Sequence, residues 1–491
     1  MKLKIKFLKW SAGFPVVMLN KKTAEQIGVH SKDRISIKLK NKKFSTILDI
    51  VEDIIRKNEI AVSSELKNLM DLKEGQVVDA SLSVTPKSFY FIQKKLNKNP
   101  LSESEIEEII KDIVNNSLSE TEIALFISAM YQQGTTMEET ISLIKAILKT
   151  GERLDLKNKY IVDKHSIGGI SGRTTPIIVS ICASSGLIFP KTSSRAITTA
   201  AGTADVMETL TNVDFSMSEL KKILKKTNAC IVWGGGLEIA PADSKIIQIE
   251  KSLGIDPESQ LLASIMAKKL AVGSNYILIH IPYGKTAKVN KKKAEELKKK
   301  FEYLGKYFKK KLKVVLTKNN GPVGNGIGPV LEMIDVIKIL DPEQKGPKKL
   351  EEESLFLASE ILEMTGKSKK GKGIKLAKEI LYSGKAFEKF KEIIQAQGGS
   401  FDLSKLKLAK FHKDIFSEKN GKIIEIDNKK INTLARIAGC PVEKTTGAYL
   451  YFNSGDKINK KDKIITIYSE SKSRLNQALK YYKSVKPIEI R

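Results

Sequence analysis

The segment Asp163-Lys164-His165-Ser166-Ile167-Gly168-Gly169 follows the apolar pair Ile161 and Val162 and holds residue types suited to an oxyanion. Paired glycines let backbone N–H groups approach an anion closely, while Lys supplies charge and Ser a hydroxyl donor. The G-x-x-x-x-G-K-[ST] spacing of a Walker A loop is absent. Gly-Gly is also among the commonest turn signals, so a phosphate cradle and an ordinary tight turn both fit. A second cluster, Thr192-Ser193-Ser194-Arg195-Ala196-Ile197-Thr198-Thr199-Ala200-Ala201-Gly202-Thr203-Ala204-Asp205, gathers hydroxyls around one arginine and runs into a helix. Hydroxyls, a guanidinium fork and a helix N-terminus favour phosphate or ribose oxygens, although Ser and Thr also serve simply as caps. Two such loops in one sheet domain favour anion binding. The third cluster, Gly254-Ile255-Asp256-Pro257-Glu258-Ser259, reads first as a helix start with Asp256 as N-cap and Pro257 at N1. A catalytic carboxyl there needs support from elsewhere. His165 and His280 have no metal-ligand spacing, and no metal is expected.

The elements that must position these clusters change in texture along the chain. From Tyr160, apolar runs end in Gly-rich or Ser/Thr-rich turns (ACIVWGGG, YILIHIPYG, KVVLT) and alternate with helical stretches. That pattern predicts a largely parallel sheet with its ligand loops at the carboxyl ends of the strands. Before it, Met1 to about Thr85 carries short strand-like runs, Ile35 to Leu39, Phe44 to Ile50 and Val77 to Val84, which predict a small β-rich unit. From Lys87 to about Leu154 the period becomes helical, with capping boxes at Ser102/Glu105 and Ser119/Glu122. After Gly399, strand candidates Gly421 to Ile426 and Lys463 to Tyr468 around helical segments predict a compact C-terminal unit.

Composition bounds what such a chain can do. At 491 residues, about two to four packed units are expected, with interior enough to stand alone. Lys+Arg 85 against Asp+Glu 56 gives a net charge of +29, which attracts anions: nucleic acid, anionic lipid or phosphorylated metabolites. Runs such as Lys291-Lys292-Lys293 and Lys298-Lys299-Lys300, on a helix over 290–304, read as a solvated face. No RNP, KH or zinc-finger pattern accompanies the charge, so nucleic acid is not expected as a partner. Cys182, Cys230 and Cys440 are odd in number and lack C-x-x-C spacing; neither disulfides nor zinc is indicated, and a reducing cytoplasm fits. The N-terminal MKLKIKFLKW alternates Lys with apolar residues, as an amphipathic strand does and a signal peptide does not. No uncharged apolar stretch approaches the roughly 20 residues that span a bilayer, so no membrane association is expected.

In this order, DKHSIGG, KTSSRAITTAAGTADVMETL, CIVWGGGLEIAPAD, GIDPESQLLASIMAKKLAVGS, GPVGNGIGPVLE, AFEKFKEIIQAQGG and ARIAGCPV resemble the thymidine and pyrimidine nucleoside phosphorylase family, most closely its AMP phosphorylase branch. The resemblance covers nearly the whole chain. It implies an α/β multidomain fold: a β-rich domain over 1–85, a helical domain over 86–158 with 240–272, a mixed α/β phosphate-binding domain over 159–239 with 273–405, and a small α/β domain over 406–491. Domain closure would bring the reactants together. The implied reaction is reversible phosphorolysis of AMP, and also of CMP and UMP, to free base and ribose 1,5-bisphosphate, with inorganic phosphate as co-substrate and no cofactor. The alternative is a thymidine or pyrimidine nucleoside phosphorylase. Carried over residue by residue, Lys164, Ser166 and Thr203 would hold phosphate. Gly168, Ser194, Arg195, Ala196, Ile197, Thr198, Thr199, Thr203, Ser264 and Lys288 would contact AMP, and Asp256 would donate the proton. A carboxylic acid can do so near neutral pH only if burial raises its pKa. The nucleoside branch usually reads G-x-G-D-K after its glycine pair, where this chain has Ile170-Ser171-Gly172-Arg173-Thr174-Thr175. An arginine that reads a pyrimidine is replaced near Ile249 and Glu250, which disfavours thymidine. The resemblance also implies a cytoplasmic homodimer.

Overall fold

The structure, a computed structural model, describes residues 1–491 apart from Lys9, Gly13, Phe14, Asn41, Lys157, Ser171, Ile197 and Thr198. It divides into two compact units, Met1–Gly151 with Ala240–Ala267, and Glu152–Ile239 with Lys268–Arg491.

The first unit opens with a closed barrel of strands in the order Lys2–Phe7, Glu59–Val62, Val16–Asn20, Lys42–Val51, Arg34–Leu39 and Val77–Leu82. Strict alternation drives the closure. Leu3 and Ile5 point into the barrel while Lys2 and Lys4 face water, and the same strand pairs with Val77–Leu82 to seal the ring. Leu19, Ile35, Ile37 and Leu48 fill the interior without measurable exposure. Helices Lys87–Leu96, Glu103–Val114, Glu120–Gln133 and Met137–Thr150 follow, joined by Pro241–Leu253 and the start of Glu258–Ala271. Both expected capping boxes form, at Ser102/Glu105 and Ser119/Glu122. The buried Lys95 Nζ donates to Glu139 Oε1 at 2.7 Å, so a charge brought into the bundle arrives with its partner.

The second unit is built on parallel strands. Lys311–Lys318, Tyr276–Tyr283 and Val162–Ser166 pair side by side, as do Phe189–Ser193 and Ala229–Trp233. A parallel bridge from Ile161 to Ile188 links the two sets. Parallel strands covered by helices on both faces must be apolar throughout, and Ile277, Leu278, Ile279 and Ile281 are fully buried. Helices Thr174–Ser184, Lys348–Met364 and Lys385–Ala396 contribute to the same core. The C-terminal segment adds an antiparallel sheet of Gly326–Ile327, Gly447–Leu450, Lys463–Ser469 and Phe411–Phe416, with helices Asn428–Ala438 and Lys472–Val485. The architecture is α/β multidomain, as expected. Among the described residues no helix is long and apolar enough to cross a membrane.

Candidate active site

The turn expected at Asp163–Gly169 begins later than the sequence suggests. Strand pairing with Tyr276–Tyr283 continues as far as Ser166 opposite His280, so Asp163, Lys164, His165 and Ser166 all lie within a strand. Alternation then sorts them, with Lys164 and Ser166 on one face and Asp163 and His165 on the other. Lys164, 1% exposed, sends Nζ to Thr174 Oγ1 at 2.8 Å. Burial pulls this ammonium down to about 7, against the opposing pull of Glu353, whose own carboxyl burial pushes up to about 7. Across the sheet, the fully buried Asp163 accepts from Lys269 Nζ at 2.6 Å, and Lys191 Nζ stands 3.7 Å away. Lys191 also donates to the Thr192 carbonyl at 2.5 Å. Burial, then the neighbouring Lys269, holds Lys191 well below its ordinary range, and the same two causes do so for His165. Around one strand, three buried amines are thus set against two carboxylates, Lys191 and Lys269 against Asp163 on one face and Lys164 against Glu353 on the other. Burying cations in excess of their counter-ions is costly and creates a strong preference for an anion.

The second loop is organised differently. Asp205 Oδ2 accepts from the backbone N–H of Ala196 and of Gly202, both at 2.7 Å, which folds the loop back on itself. Gly202 has to be glycine, because a Cβ there would meet the Ser194 carbonyl oxygen at 2.5 Å. Arg195 spends its fork on Glu208, at 2.6 and 2.7 Å, and its guanidinium lies 5.0 Å over the Trp233 ring. Lys444 adds a contact to Glu208 at 2.8 Å. The Arg195 hydrogen bonds hold the Glu208 carboxyl down at about 2. Arg195, which the sequence suggests as an anion ligand, is paired to Glu208 within its own loop region. Thr199 Oγ1 donates to the Ala201 carbonyl at 3.0 Å, and Thr203 opens the helix Thr203–Met207. Ile197 and Thr198, two of the expected AMP contacts, lie outside the described residues. Thr192 and Ser193 are among the hydroxyls of this cluster that the sequence suits to phosphate or ribose oxygens. Their hydroxyl oxygens end a strand, buried and without a hydrogen-bond partner, as donors awaiting a ligand would be.

Glycines bring the remaining groups close. A Cβ at Gly168 would meet nothing within 4 Å, so the backbone there has open space before it. Gly169, at φ +100°, lies against Lys288; an added Cβ would meet Lys288 N at 3.3 Å. Lys288 is itself exposed, in the loop after strand Tyr276–Tyr283. Arg173 braces the first loop, donating from Nε to Glu332 at 2.5 Å and from its terminal nitrogen to the Ala201 carbonyl at 2.7 Å. Asp256 and Ser264 belong to the first unit. The helix carrying Ser264 starts at Glu258, and the Pro257 carbonyl accepts from Leu261 N at 3.0 Å. Pro257 thus occupies the cap position that sequence reading assigns to Asp256, which stands one residue earlier and is exposed. Ser264 is half-buried.

Comparison with known proteins agrees with this layout. A profile described as "Glycosyl transferase family, helical bundle domain" matches residues 90–151, and "Glycosyl transferase family, a/b domain" matches 158–387. "Pyrimidine nucleoside phosphorylase C-terminal domain" matches 422–489. The AMP phosphorylase of Pyrococcus furiosus is 42% identical over 494 residues, covering 100% of this chain and 98% of that protein. Those of Pyrococcus horikoshii, at 43%, and Methanococcus aeolicus, at 39%, cover 98% and 97% of their own length and 100% and 99% of this chain. Among solved structures, anthranilate phosphoribosyltransferase from Thermus thermophilus shares the fold at a TM-score of 0.52 and 16% identity, over 63% of this chain and 99% of that one.

Proposed function

This chain belongs to the AMP phosphorylase family, and we propose that it cleaves the base–ribose bond of AMP with inorganic phosphate, releasing adenine and ribose 1,5-bisphosphate. The observation that carries the reading is the set of buried amines on the two faces of one strand, Lys164 on one and Lys191 with Lys269 on the other, with the partnerless hydroxyls of Thr192 and Ser193 at the end of another parallel strand. An excess of desolvated positive charge beside unused donors suits a small, multiply charged oxyanion. In this reading Lys164, Ser166 and Thr203 hold the attacking phosphate. Gly168, the loop 194–199, Thr203, Ser264 and Lys288 hold the nucleotide, with Arg195 keeping its loop in shape. Phosphate attacks the anomeric carbon as the base departs through an oxocarbenium-like transition state, and Asp256 delivers a proton to the leaving ring nitrogen. Asp256 is exposed, so the desolvation that favours its acid form would come from the base seated over it.

CMP and UMP are expected to react by the same route, with phosphate as the co-substrate and no cofactor. A cytoplasmic homodimer is the expected form. The test is phosphate-dependent release of base from AMP, CMP, UMP, adenosine and thymidine. AMP should be turned over far better than adenosine; equal rates for adenosine or thymidine at saturating phosphate would overturn the nucleotide assignment.

A further inference from the structure

We infer that His280 is a positioning residue for phosphate: its Nδ1–H donates to Ser166 Oγ and so leaves the single Ser166 proton for the anion. The inference rests on the reading of Ser166 as a phosphate ligand. His280 pairs with Ser166 across the sheet and, on its other side, with Val315, so the imidazole lies on the same face as Lys164, Ser166 and Thr317. It is 1% exposed, with Nδ1 at 3.0 Å from Ser166 Oγ and Nε2 at 2.7 Å from Thr317 Oγ1.

A neutral imidazole has one donor and one acceptor nitrogen. Burial, reinforced by Lys164, lowers His280 to about 3, so the ring is neutral at working pH. Two arrangements then satisfy both contacts. If Nδ1 accepted from Ser166, that hydroxyl would have no proton left and would turn only lone pairs toward an anion. If Nδ1 carries the hydrogen, Thr317 O–H donates to Nε2, Nδ1–H donates to Ser166 Oγ, and Ser166 O–H points outward as a donor. Only the second arrangement serves an oxyanion, and each donor in the chain polarises the next. The nearest carboxylate oxygen, Glu353 Oε1, is 4.0 Å from Nδ1, too far to take the Nδ1 hydrogen from Ser166.

Two substitutions separate the two ring nitrogens. In His280→Asn the side-chain amide N–H can stand where Nδ1–H stood, whereas in His280→Gln it reaches the Nε2 position and leaves Ser166 without its donor. Inorganic phosphate titrated calorimetrically into the full chain should bind His280→Gln about three- to tenfold more weakly than the parent, as expected for one lost hydrogen bond. Binding by His280→Asn should stay within about twofold, and KM for AMP should be unmoved in both variants. In a Ser166→Ala background, His280→Gln should cause no further loss. A full additional loss in that background would overturn the role of His280 while leaving Ser166 as a ligand. No effect of Ser166→Ala itself would instead overturn the phosphate subsite. The unsubstituted protein gives a test independent of folding. With only four histidines in the chain, ¹⁵N-labelled histidine should show His280 as the Nδ1–H tautomer, and an Nε2–H tautomer or an imidazolium would refute the proposal.

Discussion

The two anion-suited loops use the same residue types to opposite ends. On the strand of Lys164 the charges are buried and three amines meet two carboxylates, Lys164 with Glu353 on one face and Asp163 shared between Lys191 and Lys269 on the other. Around Arg195 the charge is matched on the spot by a bidentate Glu208, with Lys444 beside it. An unbalanced buried cation is poised to take up an anion and lowers stability until it does; a balanced pair fixes a loop and offers a ligand little beyond its backbone. Residue type alone does not distinguish the two. Both loops carry a basic residue and hydroxyls, and only the position of Glu208 one helical stretch further on shows that the Arg195 charge is already paired.

The largest expected effect lies outside both loops and sets the scale for the rest. Asp256→Asn should lower kcat by roughly 10²-fold or more while phosphate affinity stays near the parent value, because both loops remain intact. Near-normal turnover in a folded variant would remove Asp256 from the chemistry.

Lys164→Met then tests the unbalanced side. Loss of one charge-assisted contact should weaken phosphate about 10- to 100-fold. Since the variant removes a desolvated cation and burial leaves the Glu353 carboxyl in its protonated form, the melting temperature should hold or rise by about 2 °C. A clear fall in Tm would mean that the ammonium is paid for within the protein, and the contrast would fail.

Arg195→Lys should behave in the reverse sense. KM for AMP and phosphate should stay within about threefold, while Tm falls by about 2 °C as the bidentate pair and the Trp233 stack are lost. A loss of AMP binding as large as that caused by Lys164→Met on phosphate would return Arg195 to the role of a direct ligand.

The smallest effect concerns acid stability. The Glu208 carboxyl is depressed from 4.5 to about 2, so the native state binds fewer protons than the unfolded chain in that window. Its contribution is therefore complete above about pH 4.5 and is lost as pH falls toward 2. Denaturant unfolding at a series of pH values should show a shallower acid limb for Glu208→Gln than for the parent.

Local signals were legible in the sequence. The capping boxes at Ser102 and Ser119, the strand Gly421–Ile426 and the alternation of Leu3 and Ile5 with lysines each depend on neighbours a few residues away, and each stands where the pattern places it. Strand length at Lys164 was not legible. Asp163, Lys164 and Ser166 look like turn residues until partners far along the chain are known: Lys269 and Thr174 satisfy their polar groups, and Tyr276–Tyr283 extends the ladder. The cap at Pro257 missed by one position for a simpler reason, since an Asp-Pro pair places the helix start no better than to within a residue. The orphaned hydroxyls of Thr192 and Ser193 could be found only by asking where each donor goes.

The discontinuity of the first unit fixes an order of events during synthesis. All six barrel strands lie between Lys2 and Leu82, so the barrel can close while the remaining chain is still unmade. The helical bundle has to wait. Helix Pro241–Leu253 packs on Glu103–Val114, Glu120–Gln133 and Met137–Thr150, yet it emerges only after residues 152–239 of the other unit. In that interval the apolar stripes of the three earlier helices lack their cover. A ribosome pause between residues 151 and 240 would prolong that exposure, whereas a pause just after residue 82 would leave a finished barrel with no open strand edge to pair with a neighbouring chain.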